Sequence, residues 1–471
     1  MGRVLWMALS VTGLAAGPLG CGDDTAPADV VDTSDQAGEV GADADGDADG
    51  DEDGSGDGEA GTDGDADGDT DADADAGGPC DDPAAWRDCF AALAGDPTIC
   101  GTAAEAELVA AADRGFEELG FPLVRGVDVW FAWQGSATTV QVAGEFDAWT
   151  PEPLDRLCST DLYILESSLA AGFYEYKLVI DGSWRLDPAN RAFAFDDYGA
   201  NPDGKNSVVD LPGSGRGHLE WWPAVASPEL GNVRDVFVYL PPDYDPEGTR
   251  TYPALYMHDG QNVFDDTTCC FGNGGWEVNL AIDALAAVGT IEPPIVVGPA
   301  NTVDRMSEYT QCAEYSGTGD DYGRFLVDTL LPLVEAHYRI DPARRALAGS
   351  SLGGNISFVV AMAHPTVFRQ GLGSMSGSFW VCADEGLSVL QAIGAAGFPL
   401  APPLPLYVDH GGDVAADTDN AVVNVAVRDA LLGRGWTLGA DLFYVHEAGA
   451  LHNEPAWRGR VPQLLESLFP R

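Results

Sequence analysis

Ala348-Gly349-Ser350-Ser351-Leu352-Gly353-Gly354 is the stretch on which the reading of this 471-residue chain turns. It is the one place where a Ser has Gly two positions before it and two positions after it. The short run Arg345-Ala346-Leu347-Ala348 precedes it, and a helix-compatible apolar run from Ile356 to Ala363 follows. A strand, a sharp turn and a helix in that order would hold Ser351 exposed above a sheet. The glycines have a physical task there, because a Cβ at either flank would clash in so tight a turn. The helix N-terminus beneath Ser351 carries partial positive charge, which suits a developing oxyanion. A glycine-rich turn with an incidental Ser is the plain alternative, so the partners available to Ser351 decide between the two.

Working outward, strand patterns at 233–240, 254–257, 295–297, 372–375, 404–408 and 441–445 alternate with helical patterns at 325–338, 420–432 and 455–469. Buried apolar strands alternating with helices predict a mostly parallel sheet covered on both faces. A Ser nucleophile needs a base and an orienting acid. In the α/β-hydrolase fold these follow in the order Ser, acid, His, at the carboxyl ends of later strands. Here 404–408 runs into Asp409-His410-Gly411-Gly412-Asp413, and 441–445 runs into a loop ending Leu451-His452-Asn453. The expected catalytic set is therefore Ser351, His452 and Asp413. Asp417 and Asp419 are alternative acids in the same loop, Asp409 is expected to lie still in the strand, and His446 is the lesser candidate base. The oxyanion donors are expected to be the main-chain N–H groups of Leu352, after the Ser, and Gln261, in the loop after an early central strand. The fold class expected for residues 217–471 is an α/β-hydrolase.

These phrases also resemble a family. Tyr252 to Asn262 (YPALYMHDGQN), Arg305-Met306-Ser307-Glu308-Tyr309, Gly349 to Gly354, Ser374 to Trp380 (SMSGSFW) and His452 to Trp457 (HNEPAW) are similar to the esterase-D-like esterases, which include feruloyl, acetyl-xylan and enterochelin esterases. The likeness spans nearly all of residues 233–471. It implies Ser351 and His452 as catalytic residues. The acid loop departs from the family's Gly-x-x-Asp or Gly-x-x-Glu pattern, so the acid stays open. Arg305, Glu308 and Tyr309 are read either as lining the site or as a structural ion pair and a packed ring.

Ahead of this region, 123–211 carries short strand patterns separated by turn signals such as Gly144-Glu145-Phe146-Asp147 and Asp181-Gly182-Ser183, which predict an immunoglobulin-like β-sandwich. Its phrases Val142 to Trp149, Gly172 to Lys177, Asp181 to Trp184 and Gly204 to Val209 resemble carbohydrate-binding module family 48, which includes the glycogen-binding domain of AMP-activated protein kinase. The resemblance implies that Trp149 and Trp184 stack on sugar faces while Lys177 and Asn206 bond hydroxyls. Aromatic planes and directed donors are the chemistry such a ligand needs. A rigid spacer that binds nothing is the alternative.

The N-terminus reads as a secretory signal over residues 1–21, with Gly20-Cys21 similar to a lipoprotein signal in which Cys21 is lipidated. Residues 22–78 hold 22 acidic residues and no Lys or Arg. That composition cannot bury enough apolar surface to offset ordering entropy, so a disordered tether is expected. Residues 79–122 read as a short Cys-containing helical segment. The net charge of −53 argues against nucleic acid as a partner. With Cys21 set aside, four cysteines precede residue 210 and four follow it, which predicts disulfides formed outside the cytoplasm. The neighbours Cys269 and Cys270 are expected to take different partners. No metal or cofactor is expected: C-x-x-C and H-E-x-x-H spacings are absent, and the Asp-x-Asp-x-Asp-Gly phrases have Gly56 and Ala74 where a calcium loop needs its twelfth-position Glu.

The expected function is a secreted or surface-anchored carboxylic ester hydrolase. Its partners would be a small ester or glycan ester and a polysaccharide, with membrane contact only through a lipid anchor. The alternatives are a siderophore esterase of the enterochelin type and a glycan-binding surface lipoprotein with an inactive hydrolase domain.

Overall fold

In the computed structural model of the chain, residues 80, 82–196 and 204–471 are described. The signal, Cys21 and the acidic tether expected from the sequence lie outside them.

The alternation of apolar strands and helices in the C-terminal half folds as one twisted sheet. Its strands are His218–Ser227 (β11), Asn232–Leu240 (β12), Tyr252–Met257 (β13), Ile295–Pro299 (β14), Ile340–Ser350 (β15), Gly371–Met375 (β16), Leu406–His410 (β17) and Leu442–His446 (β18), in the order β18-β17-β16-β15-β13-β14-β12-β11. β13 to β18 run parallel, whereas β12 is antiparallel to both β14 and β11. All residues of β13, β14, β16 and β17 are buried, as expected of parallel strands covered on both faces. On one face the helices Leu352–Ala363 and Ala421–Gly433 pack through Ile356, Val360, Val427 and Leu431. On the other, Val278–Ala287 and Glu454–Leu468 pack through Val278, Ile282, Trp457, Val461 and Leu464. β11 and the helix Val278–Ala287 were not anticipated.

The N-terminal half contributes ten further strands: Leu123–Arg125 (β1), Asp128–Gln134 (β2), Val140–Gly144 (β3), Glu152–Pro153 (β4), Asp155–Arg156 (β5), Leu162–Ser168 (β6), Phe173–Ile180 (β7), Ser183–Arg185 (β8), Ala192–Phe195 (β9) and Lys205–Asp210 (β10). β1, β2, β6 and β5 form a four-stranded sheet. Across a core of Val129, Phe131, Val142, Tyr176 and Leu178 it faces β7 and β3. The helices Trp86–Leu93 and Ala103–Glu118 cover its other side through Trp86, Phe90 and Leu108 against Trp130 and Leu162. The second sheet does not close on itself. β9 pairs with β10 on one edge and with β11 on the other, so the sheet continues into the C-terminal half.

Four disulfides brace this frame. Cys80–Cys89 and Cys100–Cys158 tie down the helical segment, and Cys312–Cys382 joins two loops of the C-terminal half. The fourth corrects an expectation: Cys269 pairs with its neighbour Cys270. Cys270 takes a left-handed φ of 62°, which turns the chain back on itself there. The other two cysteines of this half are already committed to each other, in loops that Glu385 also clasps by accepting from the Ala313 and Glu314 N–H groups.

Candidate active site

β15 ends at Ser350 and the helix opens at Leu352, so Ser351 sits alone on the turn, with φ 54° and ψ −121°. That backbone is strained for a residue with a Cβ, and neighbours hold it: Ser351 N–H donates to the Met375 carbonyl (2.9 Å), and the Ser351 carbonyl accepts from Ser378 N–H (2.9 Å). Gly349 lies so close to the returning helix that a Cβ there would fall 2.7 Å from the Gly353 carbonyl carbon.

His452 follows β18 and stands one residue before Asn453, whose side chain caps the last helix by accepting from Ala456 N–H (3.2 Å). The Ser351 hydroxyl lies 2.9 Å from His452 Nε2. His452 Nδ1 lies 2.7 Å from an Asp419 carboxylate oxygen. The Trp457 ring stands edge-on to the imidazole, 4.9 Å between centroids. The three side chains thus form one line of hydrogen bonds, with Nδ1–H donating to Asp419 and Nε2 free to accept from the Ser351 hydroxyl.

The acid in that line is Asp419, not Asp413. Asp413 is exposed and its carboxylate accepts from Ala415 N–H (2.7 Å), a local turn contact. Asp417 is also exposed and accepts from Val422 N–H (3.0 Å). The reason lies in the loop's backbone. Asp417, Asp419 and Asn420 have φ of 49°, 53° and 56°, left-handed conformations that Asp and Asn tolerate better than most residues. They curl the chain so that Asp419 points back under the sheet edge. There its carboxylate accepts from Gly411 N–H and from the Ser376 hydroxyl (2.8 Å). Burial alone would raise the Asp419 carboxyl, but the His452 contact, the Gly411 N–H and the Ser376 hydroxyl outweigh it and hold it below the usual carboxylate range.

Leu352 opens its helix and Gln261 is the second residue of the short helix Gly260–Val263, so neither N–H has an acceptor within its own helix. Gln261 is fixed from the side, its amide oxygen accepting from Asn301 N–H (3.1 Å). Only Gly fits before it, because a Cβ on Gly260 would meet the Gly298 carbonyl oxygen at 2.0 Å. Close behind, His258 is fully buried with Nδ1 2.9 Å from the Tyr322 hydroxyl, and burial pushes it down to about 3. Arg305 grips Asp259 with two hydrogen bonds (2.7 and 2.9 Å), Glu308 does the same for buried Arg234 (2.8 and 3.0 Å), and the Tyr309 hydroxyl accepts from Asp259 N–H. Arg305, Glu308 and Tyr309 are therefore braces of the loops around Ser351.

In the N-terminal half, the Trp149 and Trp184 rings come together, with centroids 6.2 Å apart, and Trp184 is 47% exposed. Lys177 and Asn206 are buried and engaged with the chain. Lys177 Nζ donates to the Lys205 carbonyl (2.8 Å), and the Asn206 amide donates to Glu175 (2.7 Å). The structure brings the aromatic pair together but does not leave the two polar side chains open beside it.

The family described as "Putative esterase" matches residues 227–464, half of the chain. The chain belongs to that family. A second description, "Glycogen recognition site of AMP-activated protein kinase", matches residues 127–202. Among curated relatives, an uncharacterized protein YbbA of Bacillus subtilis is 29% identical over 163 residues, 32% of this chain and 59% of its own length. An endo-1,4-beta-xylanase/feruloyl esterase of Xylanibacter ruminicola is 24% identical over 324 residues, 64% of this chain and 39% of its own length. The chain thus spans less than two thirds of either relative. Among solved structures, the enterobactin esterase FES from Shigella flexneri aligns with a TM-score of 0.41 at 18% identity, covering 72% of this chain and 92% of its own.

Among the described residues of this esterase-family chain, no group of His, Cys, Asp and Glu is placed to hold a metal ion, and no helix is long and apolar enough to cross a membrane. One contact beside this line of side chains was missed in the sequence. Arg460 lies beneath Asp419, on the same helical stripe as Trp457, Val461 and Leu464. A charged residue at that spacing on an otherwise apolar stripe was the available signal.

Proposed function

We propose that the chain is a serine carboxylic ester hydrolase acting through an acyl-enzyme, with carbohydrate-linked esters as its substrate class. The observation that carries this is the continuous line Ser351–His452–Asp419, at 2.9 and 2.7 Å. Ser351 Oγ attacks the ester carbonyl while His452 Nε2 takes its proton. Asp419 holds the imidazole in the tautomer that can accept and stabilises the imidazolium that forms. The N–H groups of Leu352 and Gln261 receive the tetrahedral oxyanion. His452 then protonates the departing alcohol, and a water that it deprotonates releases the acid.

The kinship with a feruloyl esterase and the glycogen-recognition match both favour a substrate attached to a glycan. The tilted Trp149–Trp184 pair favours glycan binding by the N-terminal module, as a flat apolar surface for a sugar face. The disulfides favour an oxidising compartment. Together with the signal-like N-terminus they support a secreted protein or one lipid-anchored at Cys21.

The test is labelling by a fluorophosphonate and turnover of methyl ferulate and acetylated xylan by the wild type and by Ser351→Ala. Labelling and turnover that vanish together in the variant support the reading. Turnover unchanged in the variant would overturn it. For the module, retention on glycogen should fall in Trp184→Ala without loss of ester turnover; unchanged retention would remove the aromatic pair from the binding surface.

A further inference from the structure

Beneath the Ser351–His452–Asp419 line lies a cluster that the proposed chemistry does not use. Arg460 is 1% exposed, on the helix that begins just after His452. Its guanidinium faces carboxylates from three directions: Asp409 of β17 at 3.0 Å, Asp419 of the acid loop at 3.7 Å, and half-exposed Glu447 after β18 at 3.3 Å. It also donates to the Ser376 hydroxyl (2.8 Å), which itself donates to Asp419 (2.8 Å) and accepts from the Trp457 indole (3.1 Å). Asp409 is fully buried and accepts from the Tyr407 hydroxyl (2.8 Å) and Ser376 N–H (2.9 Å). The other titratable groups close to the cluster are His410 at the end of β17, stacked on His446, Tyr444 of β18, whose hydroxyl lies 2.6 Å from His410 Nε2, and His452 itself.

We propose that Arg460 and Asp409 form a positioning array for Asp419, in which one buried guanidinium shared between two carboxylates keeps Asp419 ionised and aimed at His452. A buried carboxylate without a counter-charge protonates instead of staying charged. Asp409 shows that pressure directly: burial pushes it up to about 6 even with Arg460 beside it. The Asp419 side chain is likewise out of solvent, yet the His452 contact, the Gly411 N–H and the Ser376 hydroxyl that Arg460 itself bonds hold it low. The fork geometry matters as well as the charge. Nε lies 3.0 Å from an Asp409 carboxylate oxygen, and the Nη2 edge reaches Asp419 both directly and through Ser376. A point-charge ammonium can supply the charge but not both edges.

This inference rests on the proposed ester hydrolysis, and its test separates the two. Removing the positive charge of Arg460 raises the affinity of both Asp419 and His452 for protons. Removing the negative charge of Asp409 lowers both. The sign of the effect is therefore the same whichever of the two groups shapes the acid limb of kcat/KM. The pH profile is measured on full-length wild type, Arg460→Met, Arg460→Lys and Asp409→Asn with one ester substrate. Arg460→Met should move the acid limb to higher pH and lower kcat at neutral pH about tenfold or more, with KM changed little. Asp409→Asn should move the limb to lower pH. Arg460→Lys, the variant most apt to fold, should keep the limb near wild type while kcat falls. A limb that stays put in both charge-removing variants, or moves the same way in both, would overturn the array while leaving the hydrolase reading intact. A wild type without turnover would instead sink the hydrolase reading.

Discussion

At the scale of the residue, the point of greatest consequence is the identity of the acid. Asp413 and Asp419 are six positions apart in one loop, and both are carboxylates on an acidic surface. Only Asp419 meets His452, because left-handed residues at 417, 419 and 420 turn it inward. An Asn at 419 would keep the shape but not the charge, and would no longer enforce the tautomer that leaves Nε2 free to accept. Asp419→Asn is accordingly expected to lower kcat by about 10²–10⁴-fold with little change in KM. Asp413→Asn, which loses only a turn contact, should stay within about threefold of wild type, a loss of under 1 kcal/mol of transition-state stabilisation. Steady-state kinetics on the two variants side by side decide the matter, and a reversed order would return Asp413 to the site.

At the scale of the element, the last helix does two jobs. Its apolar stripe of Trp457, Val461, Leu464 and Leu468 covers one face of the sheet, and its N-terminus delivers His452. Asn453 links the two by capping Ala456 N–H one residue after the imidazole. Asn453→Ala should cost about 1 kcal/mol, a fall in Tm of roughly 2–4 °C for a domain of this size. Because the cap also sets the exit angle of the His452 loop, kcat should fall more than the lost stability alone requires. An unchanged Tm would show that the cap carries no weight. Several helices and most of the parallel strands were legible from apolar periodicity, and the observed bounds of Ala421–Gly433 and Glu454–Leu468 lie within a residue or two of expectation. β11 and the two-residue strands β4 and β5 were not, since strands this short or irregular are selected by their neighbours and not by their own pattern.

At the scale of the whole molecule, the sheet that runs from β11 through β9 into the N-terminal module makes the two halves one framework. His218 sits at that junction. Its side chain is 17% exposed, with Nδ1 3.2 Å from Asp210 of β10 and Nε2 3.8 Å from Glu220 of β11. Burial alone would lower its pKa, but the Asp210 and Glu220 carboxylates outweigh that and raise it to about 9. An imidazolium favoured in the fold stabilises it fully below the unfolded value of about 6.5 and loses that contribution as pH climbs through about 9. At about 1.4 kcal/mol per unit the effect is at most on the order of 3 kcal/mol. Urea midpoints should therefore drop between pH 7 and pH 10 in the wild type, and drop less in His218→Gln. Parallel curves for the two proteins would contradict this role.

What the sequence by itself determined was local or periodic. The Gly-flanked Ser351 turn, the apolar strands, the succession of Ser, acid loop and His452, and the aromatic positions Trp149 and Trp184 are all written in short stretches whose chemistry is legible one stretch at a time. What only the tertiary structure decided was pairing. Which aspartate meets His452, the bond between Cys269 and Cys270, the burial of Lys177 and Asn206, and the placing of Arg460 under Asp419 depend on where distant backbones pass one another. The physical reason is that a side chain's partner is set by the curl of a loop and the register of a sheet. Residue spacing constrains these only to a short list of candidates, and packing makes the choice among them.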